Sequence, residues 1–276
     1  MNKQPVLPTL PPLPVLFIRS LIYNVLYFGS VGVGSIIACL LFFMPTAWHM
    51  CLWNCGVIRL GRFFLRTVCG LKIEVRGAEH IQDSGVIYAS KHESALETYV
   101  MTTALPKATI ILKKGLMMIP FFGWALHFYG AIKIDRSAGG AAMKSMLAES
   151  EKALKRGNSI IIFPEGTRVK PGAEPQYKPG IYFMESNLKV PVIPVALNTG
   201  LFWKKNSFLR YPGTAVFEFL EPMPQGLGKK EFMEELERRI ESKCRELNEE
   251  AVAKYPYTLA MMEKTENFDE TQNGGA

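Results

Sequence analysis

Between Arg19 and Arg59 the chain carries no Lys, Arg, Asp or Glu. A soluble helix of that length would need a charged outer face, so an uncharged run must lie against lipid or be buried whole. Its centre, Leu21 to Met44, exceeds the ~20 residues a helix needs to cross a bilayer. It is also too long for the apolar part of a secretory signal, and no small-residue cleavage site follows, so it is expected to stay as an anchor. Pro45 should interrupt the helix. A second helical stretch is predicted over residues 47–69, where Arg59, Arg62 and Arg66 form one stripe among Leu60, Phe63, Phe64 and Leu65. That stripe suits the headgroup layer of an anionic membrane. Positive charge flanks the run on both sides, by Lys3 and Arg19 before and by Arg59, Arg62, Arg66 and Lys72 after. The heavier C-terminal flank places the main domain on the cytoplasmic side. Crossing the bilayer and dipping into one leaflet as a hairpin both satisfy this pattern.

The other 220 or so residues suffice for one α/β domain. Net charge is +7, and it is uneven. From Glu246 onward seven acids face Lys254 and Lys264, so this end is −5 and the remainder +12. A basic body points to an anionic partner. Nucleic acid is not expected, because no aromatic–basic binding motif accompanies the charge. The five cysteines (Cys39, Cys51, Cys55, Cys69, Cys244) form no framework and lack the His or acid neighbours of a zinc site, so they read as reduced thiols with no metal. The expected organisation is a proline-rich lead-in over 1–14, a membrane-associated helical hairpin or anchor over 15–69, an α/β domain over 70–257 and a disordered acidic tail over 258–276.

Short apolar runs bounded by turn residues predict buried parallel strands at Val86–Ala89, Ala108–Leu112, Ser159–Phe163 and Val190–Leu197. Lys72–Arg76 and Thr214–Leu220 read as further strands. Pro191 and Pro194 assign the 190–197 strand to an edge or a bulge. Helices are predicted at 141–156, with Met143, Leu147, Ser150 and Leu154 inward, and at 229–254, with Phe232, Leu236, Ile240 and Leu247 inward.

Two strand ends carry reactive groups. Ser90-Lys91-His92-Glu93-Ser94-Ala95-Leu96-Glu97 places an imidazole and, five residues later, a carboxylate directly after an apolar strand. Two residues five apart sit about 140° from each other on a helix, so they meet only if His92 lies in the turn and Glu97 in the first helical turn. Ser94 and Glu97 also match a capping box, which would occupy Glu97 with its own helix. The second site is Phe163-Pro164-Glu165-Gly166-Thr167-Arg168, where Gly166 permits a positive φ and Arg168 offers a planar fork for phosphate. An ordinary turn with a Glu165–Arg168 ion pair is the plainer reading. Ser90 and Ser94 lack the Gly-x-Ser-x-Gly elbow of serine nucleophiles.

With Gly130–Arg136 and Val192–Pro194, these segments resemble, in order and spacing, the four motifs of the glycerolipid acyltransferases. The first, His-x4-Asp, falls on His92, with Glu97 in the place of the usual Asp. The third, Phe-Pro-Glu-Gly-Thr-Arg, matches Phe163–Arg168 letter for letter. The resemblance covers about residues 70–200. It implies an α/β fold with a mixed, mostly parallel sheet flanked by helices and an N-terminal membrane helix pair. It implies an O-acyltransferase of phospholipid biosynthesis at the bacterial inner membrane, with acyl-CoA or acyl-carrier protein as co-substrate, no cofactor, and lysophosphatidic acid as acceptor. His92 would then be the base and Glu97 its partner. Lys113, Lys114, Arg136, Glu165, Gly166, Thr167 and Arg168 would bind substrate, with amides at Gly166 and Thr167 serving the oxyanion. The run Gly115–Trp124 would line an acyl tunnel, dock on the bilayer, or pack as plain core. Competing readings are the same fold with another acceptor (glycerol 3-phosphate, a lysophospholipid, a lyso-ornithine lipid), a thioesterase, and a non-catalytic membrane scaffold.

Overall fold

The computed structural model describes residues 9–105, 107–135 and 139–262. Among these, seven strands form one sheet: β1 (Leu71–Arg76), β2 (Ile87–Ser90), β3 (Ala108–Lys113), β4 (Ile132–Ile134), β5 (Ser159–Ile162), β6 (Val192–Leu197) and β7 (Gly213–Phe219). Their order is β1-β7-β6-β2-β5-β3-β4. Only β6 and β7 run antiparallel, so the sheet is mixed and mostly parallel, as expected. Every residue of β2, β5 and β6 is buried, which accounts for their continuous apolar runs.

Both faces of the sheet are covered. Alternate residues point to opposite sides. Ile87, Ile160 and Val192 pack with helices α6 (Gly139–Lys155), α7 (Gly180–Leu188) and α8 (Lys229–Lys254). Tyr88, Ile161 and Ile193 pack on the other side with Tyr23, Leu65, Val100 and Met101. Those four come from α1 (Leu13–Leu40), α3 (Arg59–Val68) and α4 (Leu96–Ala104). On α8 the inward residues are as expected; on α6 the buried stripe is Ala142, Met146, Ser150 and Ala153, one position before the expected one except at Ser150.

β6 is not the edge strand that its prolines suggested. This strand is interior, between β7 and β2. The N–H and C=O of one strand residue point to the same side. The Pro194 carbonyl accepts Leu220 N at 2.9 Å, one residue past the Val195–Phe219 pair, so the missing proline N–H lies at the outermost position of the regular β6–β7 ladder. Pro191 precedes the strand. The cost is therefore at most one bond at the end of the ladder.

Among the described residues one helix, α1, is long and apolar enough to cross a membrane. α1 stops at Leu40, five residues before Pro45, and Pro45 sits at the N-cap of α2 (Thr46–Cys51), which continues through a π-helical segment, Leu52–Ile58, into α3. The second helix of the pair is therefore present, but α1 alone meets the length and hydropathy of a span. α1 is bound to the body along its length. Tyr23 packs edge-on to Trp203, Arg210 Nη2 donates to Asn24 Oδ1 at 2.9 Å, Arg210 N donates to Ser20 Oγ at 2.9 Å, and Ala38 joins Val57, Ala125 and Tyr129. Its other face leaves Phe17, Val25, Phe28 and Val33 exposed. Arg59 and Arg66 are also exposed, whereas Arg62 is half-buried and donates to Thr103 Oγ1 at 3.2 Å.

The tail expectation divides. Residues 256–261 form a 3-10 turn with Thr258 fully buried, held by the bond from Thr258 N to Tyr255 O, so this part is ordered. Residues 263–276, like 1–8 of the lead-in, lie outside the described residues.

Candidate functional site

Strands β6, β2, β5, β3 and β4 are mutually parallel, so their carboxyl ends open on one edge, where open α/β sheets place their sites. A cavity of about 710 Å³ lies there. His92, from the turn after β2, lines it beside Gly166, Thr167 and Arg168 from the turn after β5.

The histidine and the acid do meet. His92 Nδ1 lies 2.9 Å from Glu97 Oε2, and Glu97 is fully buried. As predicted, His92 stands in the turn and Glu97 in the first turn of α4. A carboxylate only accepts, so Nδ1 carries the proton and Nε2 keeps its lone pair. The Phe163 ring stacks on the imidazole, with centroids 3.9 Å apart and planes at 17°, which restrains its rotation. The backbone is gripped on both sides: His92 N donates to Glu165 Oε2 at 3.1 Å and His92 O accepts Val169 N at 2.8 Å.

Glu97 is not divided between imidazole and helix cap; it does both. Its oxygens accept Ser94 N at 2.8 and 2.9 Å, and Oε1 also accepts the Thr199 hydroxyl. The other half of a capping box is missing. Ser94 Oγ accepts Leu96 N at 3.1 Å, and the residue at the N-cap is Ala95.

Glu165 corrects the expectation. It is not among the residues that line the cavity and is not paired with Arg168. It is buried beneath the site, with Oε1 accepting Lys91 Nζ at 2.8 Å. Lys91 also donates to Glu241 Oε1 at 2.7 Å, and the Tyr177 hydroxyl donates to the same oxygen at 2.9 Å. Burial works against the Lys91 charge, but Glu241 and Glu165 outweigh it and hold the ammonium above the ordinary lysine range. Glu93 is buried as well. Its Oε2 accepts Gly200 N at 2.9 Å, its Oε1 has no hydrogen-bond partner among the described residues, and burial pushes its carboxyl well above the usual range against the pull of Lys91.

The remaining expected residues separate. Arg168 lines the cavity and makes no hydrogen bond or ion pair among the described residues. Gly166 adopts φ +69°, the positive value its position suggested, and its N–H is donated to Phe163 O at 2.9 Å; Thr167 beside it also lines the cavity. Lys113, at the end of β3, lines the cavity, whereas Lys114 does not and pairs with Asp135 at 2.9 Å on the exposed surface. Arg136 lies outside the described residues. The Gly115–Trp124 run contributes only Leu116 to the cavity; Phe122 and Gly123 pack inward, against Trp53 in the case of Phe122, while Met118, Ile119, Phe121 and Trp124 are exposed. The apolar wall comes instead from Ile111, Ala142, Met143, Met146, Ile162 and Ile181.

Sequence reasoning passed over Lys91, Thr199 and Lys205. Lys205 joins Lys113, Arg168 and Lys178 as a cation on the cavity. The rule that selected His92 and Gly166, a turn after an apolar strand, also selects Asn198-Thr199-Gly200, which follows β6.

A family model described as Acyltransferase matches residues 72–198. The 1-acyl-sn-glycerol-3-phosphate acyltransferase of Pseudomonas aeruginosa is 37% identical over 56% of this chain and 61% of its own length. The coconut (Cocos nucifera) protein of the same name is 30% identical over 70% of this chain and 68% of its own. The chain thus spans about two thirds or less of these relatives. The crystal structure of the 1-acyl-sn-glycerophosphate (LPA) acyltransferase of Thermotoga maritima shares the fold. Its TM-score is 0.67 at 22% identity, covering 85% of this chain and 95% of that one.

Proposed function

The chain belongs to the acyltransferase family, and on that footing we propose that it moves a fatty acyl group from acyl-CoA or acyl-carrier protein to the sn-2 hydroxyl of 1-acyl-sn-glycerol 3-phosphate, giving phosphatidic acid. The observation that carries this reading is the His92 Nδ1–Glu97 Oε2 contact of 2.9 Å beside Arg168 on one cavity.

The acceptor hydroxyl loses its proton to His92 Nε2 as its oxygen attacks the thioester carbonyl. General-base assistance of this kind contributes about 10²–10⁴ in rate. Glu97 fixes the tautomer and stabilises the imidazolium. Thr167 N–H faces the developing oxyanion. Collapse of the tetrahedral intermediate expels the thiolate, which takes the proton from the imidazolium. The thioester is already activated, so the reaction asks for no cofactor and no covalent enzyme intermediate. Arg168 and Lys113, with Lys178 and Lys205, bind the phosphate, and Arg136 is assigned the same task by its sequence position. The apolar wall takes the acyl chain.

Acceptor and product are lipids, which gives the exposed apolar faces of α1 and the 116–124 segment their purpose. α1 is bound to the body from Leu16 to Ala38, so its outer face sinks into one leaflet of the inner membrane, with the domain on the cytoplasmic side. Purified protein is to be given labelled acyl-CoA and acyl-carrier-protein donors against a panel of lyso-acceptors. Phosphatidic acid is the expected product, and His92→Ala should lower its rate about 1000-fold. Free fatty acid without diacyl product would replace this reading with a thioesterase.

A further inference from the structure

The turn after β6 touches no part of the cavity yet is fastened to the catalytic pair. Thr199 is fully buried, and its hydroxyl donates to Glu97 Oε1, while Oε2 of the same carboxylate meets His92. Gly200 N donates to Glu93 Oε2 at 2.9 Å. A Cβ at Gly200 would lie 2.7 Å from Pro171 Cγ and 2.9 Å from Glu93 Cβ, so the turn approaches as closely as it does only because position 200 is glycine. Asn198 anchors the turn behind: its Oδ1 accepts Val216 N at 2.8 Å and its Nδ2 donates to Leu247 O at 3.1 Å. The turn is thus fixed to β7 and α8 on one side and to the histidine loop on the other.

A glutamate reaches its partner through three side-chain torsions, and each must be held if one oxygen is to face a given nitrogen. Ser94 N approaches both oxygens alike and does not select between them. Thr199 does. We propose that Thr199 is a positioning residue of the His92–Glu97 pair, its hydroxyl occupying Oε1 so that Oε2 is presented to Nδ1. The proposal rests on His92 being the base.

Thr199→Val removes the hydroxyl at nearly constant volume. With acyl thioester and lysophosphatidic acid, kcat falls about tenfold while KM stays within about twofold, the pattern of a contact that matters only at the transition state. Thr199→Ser restores kcat to within about threefold. In a Glu97→Gln background Thr199→Val costs less than about twofold, because the group it acts through has changed. Should the valine variant unfold, as read by its melting temperature, Thr199→Ala takes its place in both backgrounds. Full kcat in Thr199→Val, or losses that multiply in the double variant, would overturn the proposal. His92→Ala separates the two failures: if it is fully active, the reading of the whole site is lost, whereas an inactive His92→Ala beside a fully active Thr199→Val loses Thr199 alone.

Discussion

The turns after β2, β5 and β6 and the helices of residues 13–68 treat polarity in opposite ways. In the turns, charge is inside: Lys91, Glu93, Glu97 and Glu165 are all buried, and each accepts or donates hydrogen bonds to a neighbouring turn or to α8. In the helices, apolar surface is outside: Val25 is 64% exposed, Phe28 59% and Phe63 58%, while Ser20, Asn24 and Ser35 are turned inward. Buried ions are a weak source of stability, because desolvation offsets most of their attraction. They persist in the turns because they fix the height and angle of His92. Exposed apolar area of this extent is out of place in water and natural against lipid. Both departures from the ordinary inside-outside rule therefore stand side by side, a polar pocket next to an apolar surface of the kind that suits a bilayer.

The sharpest break of this comparison is to make the helix surface resemble the site. Val25→Glu with Phe28→Glu forfeits the transfer of two apolar side chains and adds two charges. Binding to anionic phospholipid vesicles should fall at least about 100-fold with the melting temperature unchanged. Undiminished binding, read by sedimentation, would detach α1 from the membrane.

A smaller effect follows from removing a charge on the site side. The folded state holds a proton on Glu93 more tightly than the unfolded chain does, chiefly because the group is buried. Stability therefore declines as pH rises from about 4.5, the ordinary value, toward the raised folded one, and stays lower above it. Glu93→Gln keeps an acceptor for Gly200 N and abolishes that slope, so stability at pH 8 should rise by about 1 kcal/mol. Denaturant unfolding at pH 5 and pH 8 measures this. A variant less stable than the parent at pH 8 would mean that the Glu93 charge is needed by Lys91.

The smallest effect belongs to the site's rim. Lys114 and Asp135 are both exposed, so Lys114→Ala should change stability by less than about 0.5 kcal/mol and leave turnover within about twofold. A tenfold loss of turnover would bring Lys114 back among the substrate ligands.

How much of this could be read from residues alone follows the same division. Strands and the two long amphipathic helices were legible because period and burial agree there: β2, β5 and β6 are apolar but for Ser90 and Ser159, and buried throughout. The His92–Glu97 contact was legible because both groups lie in one short segment. Glu165 was misjudged because its partner Lys91 is 74 residues away, and no local pattern announces a buried pair. Thr199 was missed for the same reason, its partner lying 102 residues earlier. The Gly115–Trp124 run was ambiguous because composition says that a segment is apolar, not which way it faces. Pro194 misled because the edge rule counts strands, whereas an interior strand tolerates a proline at the outermost position of a ladder, where at most one bond is lost.

The bond from Arg210 N to Ser20 Oγ spans 190 positions of the chain. At about 5–20 residues per second, synthesis of the intervening chain takes roughly 10–40 s. Throughout that interval α1 has been made, but Trp203 and Arg210, which hold its inner face, have not. α1 therefore meets its partners in stages, Val57, Ala125 and Tyr129 early and Trp203 and Arg210 last. For that interval the face that Trp203 and Arg210 later cover stays open, and the growing chain exposes more apolar surface than the finished fold does.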